Sequence, residues 1–199
     1  KEPEGEFEDG KVKEAVMPAA VTGTPDDSCI EREVELNDSG SVNEYEISLN
    51  FDDGFDIDEA GPGDLWALIV DTSVIRYHDE GLDFGEDDDG NLKLGVWKTE
   101  AKNNTDDGLK MVESGTGNVS ALLAKLKSED DGGKGAVFKQ KDEGNFTMTV
   151  NKSRTAGNDD GKDSDLEVLQ EGSGESNLRI VDSEIKDGID TENVNVSEE

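Results

Sequence analysis

The chain has 199 residues, with 51 Asp plus Glu against 19 Lys plus Arg, a formal charge of −32 and a pI near 4.1. That balance excludes direct binding to nucleic acid, because no basic patch exists to neutralise phosphates, and no apolar run approaches the roughly 20 residues of a membrane span. One cysteine, Cys29, and one histidine, His78, exclude an intramolecular disulfide and a Cys/His zinc site.

Charged residues make up 35% of the chain, against roughly 25% in ordinary globular domains. Such an excess of one sign opposes compaction in dilute buffer. At about 1 M salt the screening length falls to about 3 Å and the repulsion fades, so the composition suits a protein that works in brine. Hydrophobic residues at 31% allow a core, though a thin one. The strand patterns below argue against an acidic disordered segment.

Residues 1–28 show little alternation and hold three of the four prolines; they read as an extended N-terminal arm that could reach a neighbouring subunit. The first residue is Lys1 rather than Met, which suits a processed or truncated product, as after removal of a signal peptide. Residues 29–199 read as one domain. In "CIEREVELN", Ile30, Val34 and Leu36 share one face and Glu31, Glu33 and Glu35 the other. In "NEYEISLNF", Tyr45, Ile47, Leu49 and Phe51 alternate likewise, and the turn-like "NDSGS" between the two predicts a hairpin.

"DLWALIVDTSVIRYH", Asp64 to His78, is rich in β-branched residues and predicts a strand buried on both faces. "NLKLGVW" places Leu92, Leu94 and Val96 inward, and "NFTMTV" does the same for Phe146, Met148 and Val150. "DLEVLQ", "NLRIVD" and "ENVNV" are shorter strands of the same kind. In "NVSALLAKLKSED" the residues Val119, Leu122, Leu123 and Leu126 recur at helical spacing, predicting a short helix with Asn118 as its N-cap. No fixed-period repeat is apparent. Many short strands separated by Gly/Asp clusters predict a mainly β chain: a β-sandwich, jelly-roll or immunoglobulin-like, with one short helix and the N-terminal arm.

The acidic runs "GEDDDGN" (Gly85–Asn91) and "NDDGKDSD" (Asn158–Asp165) invite a calcium reading. Aligned as EF-hand loops, they put Gly85 and Ala156 where the first ligand must stand, so neither reproduces the motif. They read as solvated loops, and no metal or cofactor is expected. Asn-X-Ser/Thr occurs at Asn37, Asn103, Asn118, Asn145, Asn151 and Asn195, six times where 13 Asn and 24 Ser plus Thr would produce roughly 1.6 by chance. This excess predicts a glycoprotein that is extracellular, at the cell surface or on a virion. No nucleophile elbow, P-loop or dinucleotide fingerprint is present, His78 reads as a strand-end residue, and Trp66 and Trp97 read as core although Trp could line a sugar site. The expected function is a non-enzymatic structural subunit of an extracellular or virion assembly (a pilus-like filament, or a capsid or decoration protein) adapted to high salt, whose partners are copies of itself or other subunits. The alternative is a monomeric surface binding module for calcium or carbohydrate.

Overall fold

The computed structural model describes residues 53–199; before residue 53 only short strand segments are described, without their side chains. Among them, Glu31–Leu36 and Val42–Ser48 pair antiparallel, as the expected hairpin requires. Apart from such segments, the expected arm over residues 1–28, Cys29 and the sequon at Asn37 lie outside the described residues.

From residue 53 the chain winds as a β-solenoid of about five turns, each turn laying one strand in each of three parallel sheets. Sheet one holds Asp56–Ala60, Asp83–Asp88, Lys110–Gly115, Ala136–Gln140, Leu166–Gln170 and Ile189–Glu192. Sheet two holds Leu65–Val70, Leu92–Trp97, Val119–Ala124, Phe146–Asn151, Ser176–Val181 and Asn195–Glu198. Sheet three holds the short strands Ser73–Ile75, Glu100–Lys102, Lys127–Glu129, Arg154–Ala156 and Glu184–Ile185. The expected β-sandwich is therefore corrected. The chain is mostly β, but its strands pair in parallel with the next turn rather than antiparallel with a hairpin neighbour.

A repeat of 27 residues underlies this register, contrary to the sequence reading. Leu65 pairs with Leu92, Leu92 with Val119 and Val119 with Phe146. The next step, Phe146 to Ser176, spans 30 residues, because the stretch carrying the 3-10 turn Asn158–Gly161 is longer than its counterparts. Period-two alternation then decides what is inside. Phe84, Met111, Phe138 and Val168 stack from sheet one, and Leu94, Ala121, Met148 and Leu178 from sheet two, all buried. Burying each larger apolar side chain contributes about 1.5–3 kcal/mol.

The corners repeat as well. Asp71, Lys98, Lys125, Lys152 and Asp182 all adopt positive φ where the chain leaves sheet two. The strain is held by the neighbouring turn: the amides of Lys98, Lys125 and Lys152 donate to the carbonyls of Ala124, Asn151 and Val181. Between sheets one and two the turns approach so closely that a Cβ on Gly117 would lie 1.5 Å from the Gly90 carbonyl oxygen. Only glycine fits there.

The expected helix over Asn118–Lys127 is a strand, Val119–Ala124, followed by a corner at Lys125 and the short strand Lys127–Glu129. Among the described residues no helix occurs beyond the 3-10 turn. Val119, Ala121 and Leu123 also alternate, and pairing with the turns on both sides decides in favour of the strand. The stretch from Leu65 is likewise not buried on both faces: Trp66, Leu68 and Val70 are exposed.

Phe138 packs edge-on against Phe146 at 6.4 Å between ring centroids and is fully buried. Phe138→Ala is expected to destabilise the solenoid by about 3–5 kcal/mol in denaturant titrations at fixed high salt, whereas Thr147→Ala on the outer face of sheet two is expected to stay within about 0.5 kcal/mol.

Candidate functional site, an acid-free sheet face

Stacked turns place like residues on like residues, and the sequons fall into that system. At the corner entering sheet two, Asp64, Asn91, Asn118 and Asn145 form a column. The Nδ2 of Asn91 donates to Asp64 Oδ1 at 2.7 Å, that of Asn118 to Asn91 Oδ1 at 2.9 Å and that of Asn145 to Asn118 Oδ1 at 3.2 Å. Their backbone amides donate to the same acceptors. Asn118 and Asn145 are thus exposed, but their amides are engaged. Asn151 is half-buried, and the hydroxyl of its partner Ser153 is buried, accepting from the Leu126 amide at 3.1 Å. Asn103 sits exposed at a left-handed corner, and Asn195 is exposed on the last strand of sheet two.

The acidic runs act as braces. Asp87, Asp88 and Asp89 are exposed, and Asp89 accepts from the Thr116 hydroxyl at 2.8 Å. Asp165 is buried and takes both the backbone amide and Nδ2 of Asn158, while Asp163 pairs with Lys134 at 2.8 Å. The carboxylates that do converge are Asp53, Glu80 and Asp83. The Lys110 ammonium lies against this group, 2.5 Å from Glu80 Oε1 and 2.8 Å from Asp83 Oδ2. Burial pushes Asp53 up to about 8, with Glu80 beside it adding to the rise. Burial also acts to raise Glu80, but Lys110 outweighs it and holds that carboxyl below its usual range. A lysine therefore does a cation's work at this cluster. Asp79, Glu80 and Asp106 form a second convergent group that shares Glu80. His78 is exposed just before it.

The surface that sequence reasoning missed is the outer face of sheet two. Its outward positions run Trp66, Leu68, Val70; Lys93, Gly95, Trp97; Ser120, Leu122, Ala124; Thr147, Thr149, Asn151; Asn177, Arg179, Val181; Asn195 and Ser197. None of these is Asp or Glu, in a chain where those residues are about a quarter of the total; just past the last strand, at the carboxy-terminal edge of the face, Glu199 pairs with Arg179 at 2.7 Å. Sheet one instead turns Asp56, Asp58, Asp83, Asp87, Glu167 and Glu171 outward, and sheet three mixes Glu100, Lys102, Lys127, Glu129 and Arg154.

The amino-terminal half of the acid-free face is apolar. Trp66 is 76% exposed, Leu68 65%, Val70 52%, Leu122 46% and Trp97 45%. Leu68 lies across the surface over Gly95, where an added Cβ would come within 3.0 Å of Leu68 Cδ1. The Lys125 ammonium sits 4.8 Å from the Trp97 ring centroid, a cation–π contact at the edge of the patch. Lys93 is drawn to the rim by Asp64 at 2.8 Å. The sign of this face was legible only once strand register was known, because the alternating acids that flank its strands belong to corners.

If the chain is glycosylated, occupancy is expected at Asn103 and Asn195 and not at Asn118, Asn145 or Asn151, as read by mass spectrometry of native glycopeptides. Modification concentrated at Asn118 and Asn145 would contradict the asparagine column. Comparison with protein-family models, curated proteins and solved structures found no match to this chain.

Proposed function

We propose that this chain is a non-enzymatic structural subunit of an extracellular or virion assembly working at high salt, and that copies of it pack through the outer face of sheet two. The observation that carries this reading is the coincidence of two exposed tryptophans with outward strand positions that hold no Asp or Glu, on one face of a chain of net charge −32; Glu199 meets that face only at its carboxy-terminal edge, paired with Arg179. Interface cores are depleted in Asp and Glu and enriched in aromatic residues, and a contiguous exposed apolar patch marks a contact surface. Two copies of so acidic a chain repel one another, and on this face they can meet over strands that carry no outward Asp or Glu. Brine shortens the range of the remaining repulsion.

Size sets the expected strength. Six strands about 4.8 Å apart and about six residues long give a face roughly 24 by 20 Å, on the order of 500 Å². A standard stable interface buries about 800 Å² on each partner. The contact is therefore expected to be weak as a pair and to depend on salt and concentration, as suits a subunit held by several neighbours.

The test is light-scattering mass of the whole chain at about 3 M and about 0.1 M salt, a range over which the screening length changes severalfold. Self-association in brine that is lost in Trp66→Ser/Leu122→Ser supports the reading. A wild-type monomer at both salts contradicts it. Tryptophan fluorescence responding to a polysaccharide would then favour the binding module, and apolar-dye binding that appears only after residues 1–52 are removed would show that the chain covers its own face.

A further inference from the structure

The corner between sheets one and two encloses a second column that the proposed packing does not use. Glu59, Glu86 and Glu113 occupy equivalent inward positions in the first three turns, and Gln140 and Gln170 continue the column in the next two. The first four are 0% exposed and Gln170 is 1%. Each of the first four side chains folds back beneath the glycine four residues on. A Cβ on Gly90 would lie 2.2 Å from Glu86 Oε1, and one on Gly63 would lie 2.6 Å from Glu59 Oε1. Glu113 Oε1 accepts from the Gly117 amide at 2.9 Å, but Glu113 Oε2 and both oxygens of Glu86 meet no well-formed hydrogen bond.

Three buried carboxylates stacked on one another cannot all be charged without a counter-ion. The charged side chains acting on Glu86 are Glu113 and Glu59, and those acting on Glu113 are Asp142 and Asp87; every one is acidic. Among the described residues no lysine, arginine or histidine acts on Glu86 or Glu113. The close fit under the glycines leaves the side chains packed against backbone rather than around a void. The chain itself shows which state the position accepts, because in turns four and five it carries the neutral isostere glutamine. A protonated carboxyl has the same shape and can donate to the next member, so the approach of Glu59 to Glu86 becomes a hydrogen bond only when one of them holds a proton.

We propose that Glu86 and Glu113, stacked in one interior column with Glu59, are neutral carboxylic acids, and that their ionisation in alkaline solution loosens the first three turns while the glutamine-bearing turns stay closed. The strands that follow these corners carry Trp66, Leu68, Trp97 and Leu122, so the column lies at the corners that lead into the apolar patch. Its effect on assembly rests on the packing reading above; its effect on the fold does not.

Burial raises the Glu86 carboxyl to about 8, with Glu113 and Glu59 adding to the rise and the Gly90 amide opposing it. Burial raises Glu113 to about 7 against the pull of the Gly117 amide. Both folded values exceed the unfolded value of 4.5, so the stabilisation is complete below that pH and is lost as pH climbs through 7 to 8. At pH 6 unfolding should release about two protons from this pair.

The experiment compares the whole chain with Glu86→Gln/Glu113→Gln at about 3 M salt, with the two single variants as a guard against misfolding. Three readings are taken: the pH slope of unfolding free energy, the infrared carbonyl band of protonated carboxyl groups at pH 6, and hydrogen-exchange protection of residues 56–124 against 136–181. The expected result is a wild-type stability that falls between pH 6 and 9, a shallower slope and a band weakened by two carboxyl groups in the double variant, and alkaline loss of protection confined to residues 56–124 of the wild type. The proposal is overturned by identical slopes and bands in both proteins. It is overturned equally if added cations restore alkaline stability in the wild type alone, which would make the column a metal site. Light scattering of the same samples separates the two ideas: a wild-type monomer throughout removes the packing reading and leaves the column intact.

Discussion

Parallel stacking in register is the constraint on which the rest of this structure depends. Once residue i sits on residue i+27, every position becomes a column, and each column must be made of residues that tolerate their own kind as neighbours. Apolar columns satisfy this at no cost. Polar columns satisfy it only when each member can both donate and accept, and so asparagine follows Asp64 at Asn91, Asn118 and Asn145. Charged columns need opposite charges within reach: in sheet three Lys127 and Arg154 are neighbours, Glu129 pairs with both, and Glu100 and Glu184 pair with them from the turns on either side.

The same constraint explains where the excess of carboxylates has gone. Outside the glutamate column, most of the acids lie on the outer faces of sheets one and three and at corners, where water and salt reach them, or they are tied to backbone amides as Asp165 is. Asp131 is tied in the same way: burial raises its carboxyl to about 6, while the Ser128 hydroxyl and the Asn104 amides favour its charged form. Against that distribution, a sheet face with no acid at its outward strand positions and two exposed tryptophans stands apart. Placing Trp66 and Leu68 in water forgoes burial worth about 1.5–3 kcal/mol per side chain, an expense that contact with a partner would recover.

Much of the local structure was legible in the sequence. The inward sets Leu92, Leu94, Val96 and Phe146, Met148, Val150 follow from alternation alone and are buried. The architecture was not, because alternation says which face is inside and nothing about which strand lies alongside. The repeat is carried by few shared residues per turn, chiefly the inward apolar positions and the corner glycines at 63, 90, 117, 144 and 174. The longer segment at 157–165 and the shorter last turn break its spacing. Leu122, Leu123 and Leu126 fit a helix as well as a strand, and only the turns on either side separate the two. Trp66 and Trp97 looked like core because Trp usually is; their exposure follows from register, which sequence alone did not supply.

The account stands or falls on that register. With Cys29 replaced by Ser, cysteines introduced in place of Ser120 and Thr147, paired outward positions on adjacent turns, can be oxidised under native conditions at high salt and again in denaturant. In-register stacking predicts fast native cross-linking, because Cα atoms of adjacent strands lie about 4.8 Å apart, within the range a disulfide spans. A control pair at Ser120 and Glu171 should not cross-link. Native cross-linking of Ser120 and Thr147 no faster than in the unfolded chain would contradict the solenoid, and with it both the acid-free face and the glutamate column.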